Sequence, residues 1–339
     1  MRKFTKRLIA ILLCTMVLSN LMPVSLTGNA SDRHPAYASE INTLPLIIDS
    51  KSVDYMSYIP ELTCSDKIKE ALDIENPKLS VDASSALLLT AEGKVLFHKN
   101  VTDPVFPGST VKLLTSLVVL DWCKTDEKVK VGEAARMITA DSSDAGLKQG
   151  ETLDIKTLMG AMLLPSGNDA AYVAAAYVGK KSLGNSKAKT INAVKEFTRL
   201  MNEKAKELGA ENSLFITPDG YDAKGQYTTA YDMGRIALAA VKSSTILKIT
   251  GKCSMSATAI SGQKHIWKNT NSLINKDSLW YNSNAIGLKT GSTTMAGKCL
   301  ISAAKNEQGT IISVVMASTT EGRWRDSNKL LDYGLEKLQ

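Results

Sequence analysis

The segment AIGLKTGSTTMAGKCLISAAKNEQGTIISVVMA, residues 285–317, sets the architecture of this chain. It holds three apolar runs, Ala285–Thr293, Lys298–Ala304 and Thr310–Ala317, which are separated by the short stretches 294–297 and 306–309. Apolar runs bounded by turn residues are typical of strands, and connections this short place successive strands antiparallel. The segment therefore predicts an antiparallel meander near the end of the chain.

The remaining strands are predicted far upstream. Ala86–Thr90 and Lys94–Lys99 flank a turn-forming triplet and predict a hairpin. Elsewhere, apolar residues recur at helical spacing. The predicted helices cover Ser109–Trp122, Leu153–Leu164, Ala170–Val178, Ile191–Leu208, Tyr231–Val241 and Asp326–Leu338. Strands at both ends of the chain around a helical middle predict an α+β fold, with an antiparallel sheet built from both chain ends and an inserted all-helical lobe.

Length and composition limit the domain organisation. The chain has 339 residues, 44% of them apolar and 22% charged, which excludes collagen-like, low-complexity and wholly disordered chains. The periodic pattern begins at about residue 79, so residues 79–339 are expected to form one compact domain. Residues 39–78 are weakly periodic and are interpreted as a linker or an accessory N-terminal segment.

The first 38 residues have the order of a secretory signal peptide. The basic stretch MRKFTKR precedes the apolar run Leu8–Met22, and Ala36-Tyr37-Ala38 or Gly28-Asn29-Ala30 offers a small-residue cleavage site. An apolar run of this length is shorter than the roughly 20 residues that a membrane span needs. Export with cleavage is therefore expected, giving a secreted or extracytoplasmic protein without a stable membrane anchor.

Charge and the supply of ligand residues exclude several function classes. Residues 1–38 carry five basic residues and one acidic residue, so the net charge of +7 falls to +3 for the 36 basic and 33 acidic residues that remain. No dense basic face is evident, which argues against nucleic-acid binding. Three histidines and widely spaced cysteines predict neither a metal site nor a cofactor. The cysteines outside the signal, expected to be buried free thiols, are Cys64, Cys123, Cys253 and Cys299.

The first candidate for chemistry is Ser109-Thr110-Val111-Lys112, at the predicted start of a helix. The unpaired amides of a first helical turn favour developing negative charge beside Ser109. Lys112 lies three residues on and shares a helix face with Ser109. A lysine that burial keeps partly unprotonated could accept the serine proton.

Two further motifs each occur once in the chain. Ser166-Gly167-Asn168 falls in a break between two predicted helices, where it could point into a cleft or simply cap the second helix, as could Asp169. Lys289-Thr290-Gly291 lies in a predicted strand, where it could hold an extended peptide and its carboxylate. Each motif alone also fits an ordinary structural role.

The three motifs together resemble a known family. Ser-x-x-Lys, a Ser-Asp-Asn-type triplet and Lys-Thr-Gly are the signature of penicillin-binding proteins and class A β-lactamases. Their order and their separations of 57 and 123 residues match this arrangement. Residues 79–339 resemble the low-molecular-mass penicillin-binding proteins, specifically the serine D-alanyl-D-alanine carboxypeptidases of peptidase family S11. Further similar segments are SGNDAA at 166–171, FITPDG at 215–220, with Thr217 where Asn is usual, TTAYDM at 228–233 and LLDYG at 330–334.

The resemblance implies a fold of the β-lactamase/DD-peptidase type and a role for each motif residue. Ser109 would be the nucleophile, Lys112 its base, and Ser166 the relay that protonates the leaving D-alanine. Asn168 would hold the peptide and the Lys112 side chain. Substrate binding is expected from a set of C-terminal residues, namely Lys289, Thr290, Gly291, Ser292 and Arg323. The oxyanion would be bound by the backbone amides of Ser109 and Ser292.

The resemblance also implies the partners, a peptidoglycan stem peptide ending in D-Ala–D-Ala and β-lactam antibiotics as acylating inhibitors. Two alternatives stay open. A class A-like β-lactamase would need a deacylating glutamate, for which Glu211-Asn212 is the nearest approach. A non-catalytic penicillin-sensing or wall-binding protein of the same fold would keep the motifs without turnover. His98, His265, Trp122 and Cys123 are expected outside the site, the last two in the core.

Overall fold

The computed structural model describes residues 58–338, so the predicted signal peptide and residues 39–57 lie outside the described part. Nine β-strands and eight α-helices are found within it. The strands are β1 Ser85–Thr90, β2 Val95–Lys99, β3 Lys128–Lys130, β4 Thr152–Asp154, β5 Ser254–Thr258, β6 Lys264–Lys268, β7 Ala285–Thr293, β8 Gly297–Lys305 and β9 Thr310–Ser318. The helices are α1 Asp66–Leu72, α2 Lys112–Trp122, α3 Ile155–Leu163, α4 Asn168–Ser182, α5 Thr190–Glu207, α6 Ala230–Lys242, α7 Ser244–Thr250 and α8 Gly322–Lys337.

The main sheet has five antiparallel strands in the order β2-β1-β9-β8-β7. The predicted hairpin and the predicted meander join where β1 pairs with β9, in a register that places Leu87 opposite Val314. Helices α2 to α7 lie between β2 and β7 along the chain. The α+β prediction, with a sheet from both chain ends and a helical lobe between them, is confirmed.

Both faces of the sheet are covered, which explains why its strands appear as unbroken apolar runs. Leu87 and Leu89 of β1 belong to a large cluster shared with the helical lobe, whereas Ala86 and Leu88 belong to a second cluster that includes Leu331 of α8. Successive side chains of a strand point to opposite faces, so burial on both sides requires apolar residues at every position.

The segment before β1 contacts the rest of the domain through side-chain hydrogen bonds. Asn212 accepts a hydrogen bond from the Thr63 amide at 3.2 Å and donates one to the Thr63 carbonyl at 2.9 Å. Asn76 makes a similar pair with the backbone of His98, at 3.0 and 2.7 Å. None of the helices in residues 58–338 combines the length and the hydrophobicity that spanning a bilayer requires.

Two predictions of local structure differ from the fold. The last helix begins at Gly322 rather than Asp326, since the Gly322 amide donates to Thr319 Oγ1 at 3.0 Å and starts the first turn earlier. Trp122 was expected in the core but is 37% exposed, because it ends α2 at the surface.

The cysteine expectation is half correct. All four thiols are free, as predicted, and Cys123 and Cys299 are buried. The other two, Cys64 and Cys253, are exposed, because each lies in an irregular segment next to a secondary-structure element rather than inside one.

The packing of α4 against α5 predicts a site that tolerates no added methyl group. A Cβ on Gly179 would lie 1.8 Å from the Ala193 carbonyl oxygen, which is backbone and cannot rotate away. We expect Gly179→Ala to lower the free energy of unfolding by about 1–3 kcal/mol or more, as overpacking does. Gly132→Ala is the control, since its Cβ would meet nothing within 4 Å. Urea unfolding measures both variants, and equal stability would contradict this account of the helix contact.

Candidate active site

The Ser-x-x-Lys motif forms the junction between a short turn and α2. A 3₁₀ turn covers Gly108–Val111, and α2 starts directly at Lys112. The turn is fixed by the Thr110 hydroxyl, which donates to the Pro107 carbonyl at 2.5 Å. Ser109 is partly exposed, whereas Lys112 is fully buried. Lys112 Nζ lies 2.7 Å from Ser109 Oγ, within the range needed for proton transfer.

Lys112 Nζ lies near four oxygen atoms from three segments of the chain, one of them Ser109 Oγ. Lys112 Nζ donates one hydrogen bond to Asn168 Oδ1 at 2.7 Å and another to the Asp219 carbonyl oxygen at 3.0 Å. Ser166 Oγ lies farther away, at 3.4 Å. The first and second motifs therefore meet at one buried amine, as the sequence predicts.

Burial lowers the pKa of Lys112 to about 8, although the negative charges of Asp219 and Asp169 act in the opposite direction. Removing an ammonium from water disfavours its charged form. A lysine of this kind is partly neutral near physiological pH. It can then accept a proton, which an exposed lysine cannot do to any useful extent.

The loop that supplies the Asp219 carbonyl is held against α2 by close backbone contacts. Thr115 of α2 donates to the Pro218 carbonyl at 2.6 Å, and the Gly220 amide donates to Thr217 Oγ1 at 3.1 Å. Gly220 has a φ of +81°, and a Cβ there would lie 1.9 Å from the Gly108 carbonyl oxygen. Only glycine fits this position, so the loop can press against the nucleophile turn.

The Ser166 loop is strained and tightly anchored. Ser166 has a φ of +66°, which is uncommon for a residue with a side chain and concentrates at functional sites. The Gly167 amide donates to the Ala161 carbonyl at 3.1 Å, and the Asn168 amide donates to the Ser143 carbonyl at 2.9 Å. These bonds fix the direction in which Ser166 and Asn168 project toward Lys112.

Asp169 does more than the predicted helix cap. The helix begins two residues earlier than predicted, at Asn168, so Asp169 lies within its first turn. The Asp169 carboxylate accepts hydrogen bonds from the backbone amides of Ala145 at 2.8 Å, Leu147 at 2.9 Å and Ala170 at 2.8 Å. Burial raises its pKa despite these donors. The carboxylate thus ties the 143–147 loop to the start of α4.

The third motif lies in β7, which is the edge strand of the sheet next to the nucleophile turn. Lys289 is fully buried, and its Nζ donates to the Thr290 carbonyl at 3.0 Å. Thr290 Oγ1 lies 2.6 Å from Thr270 Oγ1. The pKa of Lys289 lies well below its ordinary value. Burial is the largest cause, and the positive charges of Lys112 and Arg323 lower the pKa further.

Backbone contact brings the edge strand and the nucleophile turn together. A Cβ on Gly291 would lie 3.1 Å from the methyl carbon of Thr110, and a Cβ on Gly108 would lie 3.4 Å from the Ser292 amide nitrogen. The Ser292 amide is therefore close to the turn that carries Ser109, where both predicted oxyanion donors are needed.

An open cleft of about 350 Å³ runs past Ser109. Of the predicted site residues, Ser109, Asn168 and Ser292 line it, whereas Lys112 and Lys289 are fully buried. Arg323 is not among the lining residues, and its guanidinium lies 4.3 Å from the centre of the Trp324 ring. The full lining is Ser109, Asp141, Ser142, Ser143, Asn168, Tyr221, Ser292, Thr293, Thr294 and Lys298.

Sequence reasoning missed several residues of this cleft. The Tyr221 hydroxyl lies 2.8 Å from both carboxylate oxygens of Asp141, so this pair bridges two loops at the cleft wall. Asp222 accepts from the Thr293 hydroxyl at 2.6 Å and the Met295 amide at 3.0 Å, which holds the β7–β8 turn. The similar segment FITPDG pointed to the adjacent loop but not to these contacts.

The other residues expected outside the site have separate partners. His265 Nε2 lies 2.9 Å from Glu151 Oε2, and its ring stacks on Trp267 at 5.0 Å. His98 Nε2 lies 3.1 Å from the Leu72 carbonyl oxygen. None of His98, His265, Trp122 and Cys123 lines the cleft. Within residues 58–338 no group of three or more side chains could hold a metal ion.

Comparison with known proteins decides the family. The model of the D-alanyl-D-alanine carboxypeptidases, peptidase family S11, matches residues 71–320. The chain belongs to this family. D-alanyl-D-alanine carboxypeptidase DacF of Bacillus subtilis is 31% identical over 269 residues, which cover 77% of this chain and 64% of that protein. The match thus spans slightly less than two thirds of this relative.

Solved structures of the family share the fold. The Streptomyces K15 DD-transpeptidase aligns with a TM-score of 0.69 and 31% identity, covering 78% of this chain and all of that one. Penicillin-binding protein D2 of Listeria monocytogenes, solved with ampicillin bound, aligns with a TM-score of 0.62 and 27% identity over 77% of this chain. The predicted fold of the DD-peptidase type is thereby confirmed.

The hydrogen bonds of Asp169 lead to a prediction about the stability of the loop at residues 143–147. Asp169→Asn places an amide donor against backbone amides that need an acceptor, and it leaves at least one of them unpaired. We expect the free energy of unfolding to fall by about 1–3 kcal/mol. The neighbouring Asp144→Asn, at an exposed position of the same loop, is the control and should be close to neutral. Thermal and urea unfolding of both variants would show whether the carboxylate stabilises the loop; a neutral Asp169→Asn would contradict it.

Proposed function

We propose that this protein is an extracytoplasmic serine-type D-Ala–D-Ala carboxypeptidase, which removes the terminal D-alanine from peptidoglycan stem peptides through an acyl-enzyme. The observation that carries the proposal is the 2.7 Å contact between Lys112 Nζ and Ser109 Oγ at the bottom of an open cleft. Membership of the family supports the reaction and the substrate class.

The hydrogen-bond partners of Lys112 support its role as the base. A neutral amine has two N–H groups and one lone pair. The carbonyl oxygens of Asn168 and Asp219 can only accept, so they take both N–H groups. The lone pair is then directed at Ser109 Oγ and can receive its proton. In this state Ser109 is primed to attack a carbonyl carbon.

The proposed reaction has two steps. In acylation, Ser109 Oγ bonds to the carbonyl carbon of the penultimate D-alanine while its proton passes to Lys112. The amide C–N bond then breaks, and the leaving D-alanine nitrogen receives a proton through Ser166, whose Oγ lies 3.4 Å from Lys112 Nζ. In deacylation, water takes the place of the leaving group, which releases the shortened peptide and restores the Ser109 hydroxyl.

The edge strand β7 would hold the substrate. An extended peptide can pair with the free edge of a sheet, which places its carbonyl beside Ser109. The amides of Ser109 and Ser292 would stabilise the oxyanion, and the loss of one such donor typically lowers the rate by about 10²–10³-fold. Lys289, Thr290, Gly291 and Arg323 would form and support the carboxylate-binding end. No cofactor is needed for this chemistry.

The two alternatives find less support. Glu211 is exposed and does not line the cleft, and Asn212 is bonded to the backbone of Thr63. The acid that a class A-like β-lactamase would use for deacylation is therefore not offered by this segment. A non-catalytic penicillin-sensing or wall-binding protein would not need a buried lysine in contact with the serine.

Several parts of the proposal concern the setting rather than the chemistry. The N-terminal signal, the stem peptide as substrate and β-lactam antibiotics as acylating inhibitors fit a hydrolase of cell-wall biosynthesis, peptidoglycan maturation and cell shape. The Listeria relative is described as ampicillin-bound, which supports β-lactams as ligands here. We propose a mature protein on the cell-wall side of a bacterial membrane, with no nucleic-acid partner and no stable anchor after cleavage.

Intact mass spectrometry with benzylpenicillin tests the nucleophile. The wild-type protein should gain one penicillin mass on the peptide that contains Ser109, and it should release D-alanine from an acylated tripeptide ending in D-Ala–D-Ala. Ser109→Ala should form no adduct and release D-alanine at least about a thousandfold more slowly, the order seen when a serine nucleophile is removed. Ser142→Ala removes another hydroxyl from the same cleft and should behave like wild type. A Ser109→Ala protein that still acylates would refute the assignment.

The pKa of Lys112 predicts how acylation depends on pH. The neutral amine is the reactive form, and its fraction grows as pH rises toward a pKa of about 8. Below that value the acylation rate should rise about tenfold per pH unit, and above it the rate should level off. Lys112→Arg, which stays charged, should be inactive at every pH. Stopped-flow acylation between pH 6 and 9 measures the profile, and a rate independent of pH would exclude Lys112 as the base.

A further inference from the structure

One buried side chain, Gln226, closes the loop that lies beside the Ser-x-x-Lys motif. Gln226 Oε1 accepts hydrogen bonds from the Ile216 amide at 3.0 Å and from the Thr217 amide at 3.1 Å. Its Nε2 donates to the Tyr221 carbonyl at 2.9 Å. A single side-chain amide therefore joins the two ends of the segment 216–221.

The middle of this segment contacts the base of the proposed reaction. The Asp219 carbonyl accepts the hydrogen bond from Lys112 Nζ at 3.0 Å. Two further bonds lie inside the segment, from the Gly220 amide to Thr217 Oγ1 at 3.1 Å and from the Tyr221 amide to Asp219 Oδ1 at 3.0 Å. These bonds shape the turn, whereas the bonds of Gln226 hold its ends together. Both sets are needed to fix the direction of the Asp219 carbonyl.

The direction of that carbonyl decides where the lone pair of a neutral Lys112 points. The oxygens of Asn168 Oδ1 and the Asp219 carbonyl can only accept, so together they take both N–H groups of the amine. The lone pair is then left for Ser109 Oγ at 2.7 Å. When the Asp219 carbonyl turns away, Lys112 can direct its second N–H at Ser109, and an amine in that orientation does not accept the serine proton.

We propose that Gln226 is a positioning residue for the base, because it holds the Asp219 carbonyl in place and thereby directs the Lys112 lone pair at Ser109. This inference rests on the proposed function and refines how its base is oriented. Gln226 is not among the residues that line the cleft, and its side-chain bonds go to the loop. Its effect therefore falls on the acylation step and not on ligand binding.

Gln226→Met tests the inference, since methionine has an unbranched side chain of similar length but no amide. We expect the limiting rate constant of acylation by benzylpenicillin to fall about tenfold or more, the order that one lost hydrogen bond at the base implies. The concentration that gives half the limiting rate should not change. Stopped-flow acylation measures both quantities, and intact mass spectrometry measures the fraction of molecules that finally carry the adduct. That fraction should stay close to the wild-type value.

Two further variants separate positioning from stability. Gln226→Glu still offers an oxygen to the Ile216 and Thr217 amides but loses the bond to Tyr221, so its limiting rate on the high-pH plateau should be intermediate. It decides the question if Gln226→Met does not fold. Asn202→Leu is the matched control, because the Asn202 amide brackets Phe215 just outside the segment, at 2.9 and 2.7 Å. This variant should lose stability and keep the wild-type rate constant in its folded molecules.

Three results would overturn the inference. The first is a wild-type rate constant in the Gln226 variants. The second is a loss confined to the fraction of molecules that react, which a purely structural role would produce. The third is an equal fall in Asn202→Leu. Each differs from a failure of the proposed function, in which the wild-type protein would neither release D-alanine nor be acylated by benzylpenicillin.

Discussion

One buried amine, Lys112 Nζ, connects the segments that form the candidate active site. Lys112 Nζ contacts the serine of its own turn, the Asn168 side chain of the helical lobe and the backbone carbonyl of Asp219. A buried amine is stable only when its polar partners are satisfied, so each of these segments has to be in place for the others to be useful. The burial that requires every polar partner of the amine to be in place also lowers the pKa of the amine. Structural stability and chemical reactivity therefore depend on the same contacts.

The charge distribution around this amine follows from the fold rather than from the motifs alone. Lys112 and Lys289 are both fully buried, and Arg323 lies near enough to influence Lys289. Cations placed this close to one another disfavour each other's charged forms. A negative charge placed beside them would relieve that repulsion. The candidate site thus combines a lysine whose pKa is lowered to about 8 with a second buried lysine whose pKa is lowered further by its neighbours.

Much of the fold could be predicted from the sequence, and so could the meeting of the first two motifs at Lys112. The strands of the sheet are continuous apolar runs, and the motif side chains belong to residue types with few other uses in such an order. The Asp219 contact could not be predicted, because a backbone carbonyl carries no residue signature. The Asp141–Tyr221 pair and Lys298 could not be predicted either, because exposed polar residues of loops and strand ends are common. Only the folded geometry shows which of these residues line the cleft. The burial predicted for Trp122 and for the two exposed cysteines was wrong, because the apolar pattern of a sequence gives little indication of exposure at helix ends and in irregular segments.

The pairing of β1 with β9 has a consequence for the order in which the fold is completed. β1 is an inner strand of the sheet, and the neighbour that covers one of its edges is made more than 200 residues later. Until β9 emerges, that edge is open to other chains, and contacts of such sequence separation form slowly. The edge strand β7, which carries Lys289-Thr290-Gly291, is likewise attached through β8 to β9. The five-stranded sheet that carries the candidate site is therefore complete only when the last of its strands has paired, so distant parts of the chain have to meet before the site can form.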